Sequence, residues 1–323
     1  HELSSISISP SGNIFILSLD NFGQTSQTTF YMVLGPNGNI INQNNVNVSF
    51  GDYYGLFGSC HTDDNGFIAT GTGPNIQTQD RSSTWIVKID SLGNIEWSKL
   101  ITVDDSYPSR YGIYGVTIDR LKKDKYLVMG RFGDDKNANN PNPSEMSGLI
   151  IEINGSGEIL KSNKIISTNG IFLNTVGAFE KDEEVYISAT QSYSEIGNSL
   201  ILFSLDSSNN IIKSSNTNLN LRHPDVFQFG TQFMVGAYNF QNNSLSYHTL
   251  NRNLYYCGSN PISLEVIPIE VQQISHSTEI KKNIQQFQLG IELSKTNCLL
   301  FNDILCSPNS IDSVFQRNYT TGG

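Results

Sequence analysis

One short pattern returns along this chain at wide, roughly even spacing, and it limits the folds available more than any other feature. An apolar stretch runs into Asp or Asn (Gly in the first copy), with Gly or Asn three residues later. The first copy is Phe30 to Gly38, the clearest is Thr84 to Leu100, and further copies are Leu149 to Gly157 and Leu200 to Asn209. A fifth, Leu245 to Asn251, is degenerate. With the turn-opening residues at 35, 90, 154, 206 and 251, the steps are 55, 64, 52 and 45 residues. In the clearest copy, Trp85 to Ile89 is rich in β-branched and aromatic residues. Asp90-Ser91-Leu92-Gly93-Asn94 supplies turn chemistry, with Gly93 able to take positive φ, and Ile95 to Leu100 returns. This predicts a β-hairpin, and a lone hairpin is marginal in water.

Two more patterns keep the same phase. Strand-like runs end in a small residue at Ser18, Gly71, Gly130, Ala189 and Gly236. Ahead of them come Tyr54-Gly55-Leu56-Phe57-Gly58 and Tyr111-Gly112-Ile113-Tyr114-Gly115, with a looser copy at 172–179. Glycines there predict closely approaching backbones, as in the innermost strands of a radial array. Each unit therefore holds about four strands in roughly 45–60 residues, the period of a β-propeller blade. A β-sandwich has no such period, and a solenoid has a much shorter one. The expected fold is all-β: a propeller of about five to six four-stranded blades over 1–258 (blades near 1–50, 51–105, 106–168, 169–220 and 221–258), then a C-terminal β-rich extension or diverged last blade over 259–323.

The string Trp85 to Trp97, preceded by Gly66-Phe67-Ile68-Ala69-Thr70-Gly71, resembles the blade repeat of secreted bacterial-type propellers similar to the quinoprotein-like superfamily, roughly aliphatic-Asp-x-x-Gly-x-aliphatic-x-Trp. Only the second blade matches in full, since Leu160 and Ile212 lie near the position of the terminal Trp in later blades. The resemblance implies a propeller over about residues 5–255. A quinoprotein-like enzyme is its minor functional implication, and the missing tryptophans count against a bound quinone, so no cofactor is expected.

Charged residues make up 15% of the 323-residue chain, and the net charge is −10. Amides and hydroxyls supply the polarity instead. An acidic chain without a Lys/Arg cluster has no electrostatic footprint for nucleic acid. No run of 18 apolar residues forms a membrane span. The first residue is His1, with no signal-like apolar stretch, which reads as a removed signal peptide or a fragment.

Four cysteines, Cys60, Cys257, Cys298 and Cys306, allow two disulfides. The stretch from Cys298 to Cys306 is symmetric about Asn302, so a hairpin places its two ends opposite each other within disulfide reach. Cys60–Cys257 follows by elimination, and four buried free thiols are the alternative. Asn-x-Ser/Thr sequons stand at Asn47, Asn154, Asn242 and Asn318. Cysteines and sequons together favour an extracellular, secreted or cell-surface protein.

No catalytic or metal-binding constellation stands out. The acidic pairs Asp63-Asp64, Asp104-Asp105, Asp134-Asp135 and Glu183-Glu184 lack calcium-loop spacing and read as solvated turns. Cys60 and His61 are neighbours on a strand and point to opposite faces. His1, His223, His248 and His276 are scattered. The insert 133–143 is a long polar surface loop, and such loops often carry function. After Pro261 the period is lost, and Ile262 to Val271, Phe287 to Leu293 and Asn297 to Leu305 are strand candidates. A β-patterned tail without its own core has to pair with something, and a neighbouring subunit's sheet edge is a natural receptor. The sequence thus predicts a non-enzymatic structural protein whose partners are copies of itself, joined through the tail into a filament, appendage or surface layer. The alternative is a carbohydrate-binding, lectin-like propeller with glycans as partners.

Overall fold

The computed structural model describes residues 2–20, 28–47, 55–74, 82–104, 106–107, 111–122, 124–134, 146–168, 173–193, 197–220, 222–229, 232–239, 244–250, 254, 260–275 and 280–281. These residues form a five-bladed β-propeller. Blade 1 consists of β1 (Glu2–Ile8), β2 (Ile14–Asp20), β3 (Thr28–Leu34) and β4 (Ile40–Asn47). Blade 2 consists of β5 (Gly55–His61), β6 (Phe67–Pro74), β7 (Ser82–Ile89) and β8 (Ile95–Val103). Blade 3 consists of β9 (Tyr111–Arg120), β10 (Lys125–Asp134), β11 (Ser147–Asn154) and β12 (Ile159–Ser167). Blade 4 consists of β13 (Leu173–Lys181), β14 (Glu184–Tyr193), β15 (Gly197–Leu205) and β16 (Ile211–Asn220). Blade 5 is described through β17 (Arg222–Phe229), β18 (Gln232–Asn239) and β19 (Ser244–Leu250). All pairings are antiparallel between chain neighbours, and the first strand of each blade packs beside that of the next.

Alternation along the middle strands fills the seams between blades. On β7, Trp85, Val87 and Ile89 face blade 1, while Ile86 faces blade 3. On β10, Tyr126, Val128 and Phe132 face blade 2, while Leu127 and Met129 face blade 4. Apolar residues on both faces of a strand are what a stack of sheets requires.

The repeated turn is built as its residues require. At Asp90, the side-chain carboxylate accepts the amides of Leu92 and Asn94 at 2.9 and 2.8 Å. Asp206 accepts those of Ser208 and Asn210, both at 2.8 Å. The residue three positions on has positive φ in every copy: Gly38, Gly93, Gly157 and Asn209. The turns of blades 2, 3 and 4 are also bonded to the blade before them. Asn42 donates to Leu92 O at 3.1 Å, Lys99 to Ser156 O at 2.6 Å and Lys161 to Ser207 O at 2.6 Å. Trp97 lies against Gly157 and donates its indole N–H to Gly155 O at 3.3 Å.

The innermost strands of blades 1 to 4 carry a β-bulge at the same level, at Leu3/Ser5, Leu56/Gly58, the β9 residues opposite Met129/Gly130 and Thr175/Gly177, and β17 carries one slightly nearer its start, at Arg222/Asp225. The small residues of the second strands answer these bulges. A Cβ on Gly130 would stand 1.8 Å from Tyr114 O, and one on Gly71 would stand 1.8 Å from Gly55 O. Bulges bend a strand and re-aim the side chains beyond them.

The chain beyond blade 5 runs back around the rim. β20 (Asn260–Pro261) pairs with β16, β21 (Leu264–Pro268) with β12, β22 (Val271–Ser275) with β8, and β23 (Ile280–Lys281) with β4. Blades 4, 3, 2 and 1 each gain a fifth, outermost strand in that order. Between strands, Ile262 and Ile269 are buried in the seams they cross. Their carbonyls accept Ser214 Oγ at 2.5 Å and Ser162 Oγ at 2.6 Å. Pro268 sits in β21 without breaking the sheet, because β21 is an edge. This corrects the motive for a filament subunit: from Asn260 to Lys281, the described strands of the tail pair with the chain's own blades, not with a neighbour.

Candidate functional site

Strand direction divides the blades into two ends. The turns from first to second strand and from third to fourth lie at one end, here the turn face. The connections from second to third strand and from blade to blade lie at the other, the loop face. Residues 21–27, 48–54, 75–81, 135–145, 169–172, 194–196 and 240–243 lie outside the described residues. They include most of the insert 133–143, of which Gly133 and Asp134 end β10.

Blade 3 concentrates unusual side chains toward the loop face. Arg131 follows Gly130, where β9 and β10 are pressed together, and stands opposite Tyr114. Its guanidinium carbon lies 4.5 Å from the Tyr114 ring centroid, a cation–π contact, and Tyr114 itself is buried. Arg131 Nε is buried without a hydrogen-bond partner. Among the described residues no carboxylate pairs with Arg131. Burial pushes its pKa below the usual arginine value, with no opposing charge to restore it. On the other face of β10, Phe132 is flanked by Tyr107 and Tyr111 at 5.4 and 5.6 Å between centroids. Lys164 Nζ lies 5.4 Å from the Phe132 ring. On β13, beside this blade, Asn174 Oδ1 is also buried without a partner.

This arrangement suits recognition of an anion. A planar guanidinium held by an aromatic face has free donors for a carboxylate, sulfate or phosphate.

Other candidate residues fall elsewhere. Cys60 is a free thiol buried in the seam between blades 2 and 3, so the expected Cys60–Cys257 bridge is not made. The reason is strand parity: Cys60 faces the seam core with Ile68, across from Tyr126 and Val128. Burial, reinforced by Asp119, raises its pKa well above the usual thiol value, and it stays protonated. His61 meets Arg120 at 3.0 Å instead of the thiol, and its pKa is lowered by burial and by Arg120. Cys257, Cys298 and Cys306 lie outside the described residues. So do the sequons at Asn242 and Asn318, while Asn47 ends β4. Asn154 opens a turn, and its side chain bonds Glu158 and Ser156.

Several members of the acidic pairs are solvated and also make ion pairs. Asp63 pairs with Arg120, Asp64 with the buried Lys88, and Glu184 with Lys213. Asp104 accepts Ser106 N and Gln272 Nε2, tying the extension to blade 2. Among the described residues, no group of three or more His, Cys, Asp or Glu side chains is placed to hold a metal ion. Of these roles, sequence reasoning missed Arg131. Its signal was a lone charge inside the apolar run Tyr126 to Phe132.

No family model matches the chain, and no curated protein matches it. The propeller implied by the resemblance is present, but membership of the quinoprotein-like superfamily is not supported. Among solved structures, the chain is similar to the periplasmic gluconolactonase PpgL of Pseudomonas aeruginosa, at 10% identity and a TM-score of 0.44, covering 86% of this chain and 87% of that one. It is similar to a subtype N11 neuraminidase-like protein (A/flat-faced bat/Peru), at 10% identity and a TM-score of 0.47, covering 80% and 72%. It is also similar to Bacillus subtilis levansucrase, at 12% identity and a TM-score of 0.39, covering 87% and 86%. At such identities the likeness bears on the fold alone, and no residue role transfers. With the tail strands paired in cis, the expectation of a self-assembling filament protein is withdrawn. The further expectation that the chain is not an enzyme loses its main ground with it. No helix among the described residues is long and apolar enough to cross a membrane.

Proposed function

We propose that this propeller binds an acidic carbohydrate, one bearing a carboxylate or sulfate, at the loop face of blade 3. The observation that carries the proposal is Arg131: a largely buried guanidinium, stacked on Tyr114, whose Nε lacks a partner. Such a charge costs stability unless something pairs with it, and unpaired charges in clefts are enriched at functional sites. Tyr107 and Tyr111 line the opposite face of the blade, in the seam with blade 2, so the aromatic surface beside the guanidinium is Tyr114. An extracellular setting belongs to this proposal, motivated by a surface poor in charge and by the sequons.

The test is a glycan array followed by calorimetry on the hits, using acidic oligosaccharides and their neutral counterparts. Acidic members should bind, and Arg131→Met should weaken them at least tenfold with the fold intact. Binding that ignores the acid group, or that survives Arg131→Met unchanged, overturns the proposal. So does an array without hits.

A further inference from the structure

The innermost strand of blade 4 differs from those of blades 1 to 3 at one position. Leu3, Leu56, Gly115 and Thr175 hold the same place in the four blades, just ahead of the bulge. Of the four, only Thr175 carries a hydroxyl, and it is fully buried. Thr175 Oγ1 reaches across the seam to blade 3. It accepts the amide of Gly130 at 2.9 Å, and its single proton is shared between the carbonyls of Gly130 and Leu149, at 2.9 and 2.5 Å. A bulge disturbs the ladder around it, and buried backbone groups have to be paired. One hydroxyl of blade 4 thus fixes the backbone of β10 and β11 at the level of the β9 bulge.

Gly130 is the residue before Arg131. By strand alternation, Arg131 shares the face of β10 that carries Leu127 and Met129 into the seam with blade 4. Thr175 and the guanidinium therefore lie in one seam. Gly130 is also where β10 presses on β9, since a Cβ there would stand 1.8 Å from Tyr114 O. Tyr114 is the ring on which Arg131 stacks, at 4.5 Å. The hydroxyl holds the residue against which both the cation and its ring are set.

The charge and the hydroxyl also occur together. In the seam between blades 1 and 2, the positions of Arg131 and Thr175 are held by Leu19 and Leu56. Between blades 2 and 3 they are held by Thr72 and Gly115. A long side chain ordered before its ligand arrives loses less freedom on binding.

We propose that Thr175 is a positioning residue for Arg131: by holding Gly130, its hydroxyl keeps the guanidinium stacked on Tyr114 and ready for an anion. This rests on the reading of Arg131 as the anion-binding group, and it adds a second blade to that site.

The test has one arm that needs no ligand. In NMR spectra of the free full-length protein, the Arg131 Nε–H proton, identified by its loss in Arg131→Met, should be shifted upfield by the Tyr114 ring. Thr175→Val, which keeps the shape and removes the hydroxyl, should move that resonance toward the position of a solvent-exposed arginine, and Thr175→Ser should restore it. Thr175→Ala, which opens space for water at these groups, takes the place of the valine variant if that does not fold. In the second arm, acidic oligosaccharides that bind the wild type should bind Thr175→Val about fivefold more weakly, as for a guanidinium in place about a fifth of the time. Thr175→Ser should bind like the wild type. A resonance or an affinity that Thr175→Val leaves unchanged overturns the proposal, and so does a loss that Thr175→Ser does not restore. If no acidic oligosaccharide binds the wild type, the reading of Arg131 falls, and the resonance alone decides whether Thr175 holds it.

Discussion

At the turn face, one five-residue turn recurs at 35–39, 90–94, 154–158 and 206–210, and each of the last three is bonded to the preceding blade by a side chain. At the loop face, equivalent positions diverge. Where blade 3 has Arg131, after Gly130, blade 2 has Thr72 after Gly71 and blade 4 has Thr190 after Ala189. Repetition holds the blades together at one end and leaves the other end free to carry a single, unrepeated charge. Stability is thus assigned to one end of the strands, and the proposed recognition to the other.

This contrast makes ordered predictions. The largest effect should come from Trp97→Ala, which empties the contact with Gly157 and removes the bond to Gly155 O. Its cost should be about 3 kcal/mol in denaturant unfolding. Asp90→Ala, which strips the Asp90 turn of its side-chain bonds, should cost about 1 kcal/mol by the same measurement. A loss as large as that of Trp97→Ala would show that turn chemistry, not packing between blades, dominates this end.

Acid should act on the ion pairs next. Burial raises the Asp64 pKa, but the bonds from Lys88, Thr62 and Gly66 outweigh burial and hold it below its usual value. For Glu184, burial likewise opposes, and bonds led by Lys213 prevail. A depressed folded pKa gives stability that is present above the unfolded pKa and lost as pH falls through the folded one. The unfolding midpoint should therefore stay flat from neutral pH to near pH 4 and then fall. Lys88→Met should flatten that fall, and an unchanged acid limb would remove these pairs from the account.

The smallest effect on stability should be at the loop face. Arg131→Met should leave the unfolding midpoint unchanged or raise it slightly, since it replaces an unpaired, largely buried charge with an apolar side chain of similar length. A marked destabilisation would make Arg131 structural and dissolve the contrast between the two faces.

The turn face was legible in the sequence because its chemistry is local. Asp90, Gly93 and Asn94 declare a turn within five residues, and Trp85 to Ile89 declares a strand by composition. The bulges were not legible. Gly130 hints at a close approach, but only the pairing with β9 shows that Tyr114 O is what approaches. The destination of the extension was hidden for a similar reason. Leu264 to Pro268 reads as a strand, yet nothing local says that its partner is β12, about a hundred residues earlier. Cys60 misled because an even cysteine count suggests bridges, whereas strand parity directs this side chain into an apolar seam. Arg131 was visible as a charge in an apolar run, but its lack of a counter-charge among the described residues is a fact of three dimensions.

The rim strands also bear on how the protein is made. Blades 1 to 4 receive their outermost strands from residues 260–281, which leave the ribosome after every blade has already emerged. Until then, β4, β8, β12 and β16 present bare hydrogen-bonding edges, the surfaces on which nascent β-proteins associate wrongly. A chain cut short before Asn260 would keep those edges permanently. Truncation before Asn260 should thus yield an aggregating chain, although β1 to β19 are still present.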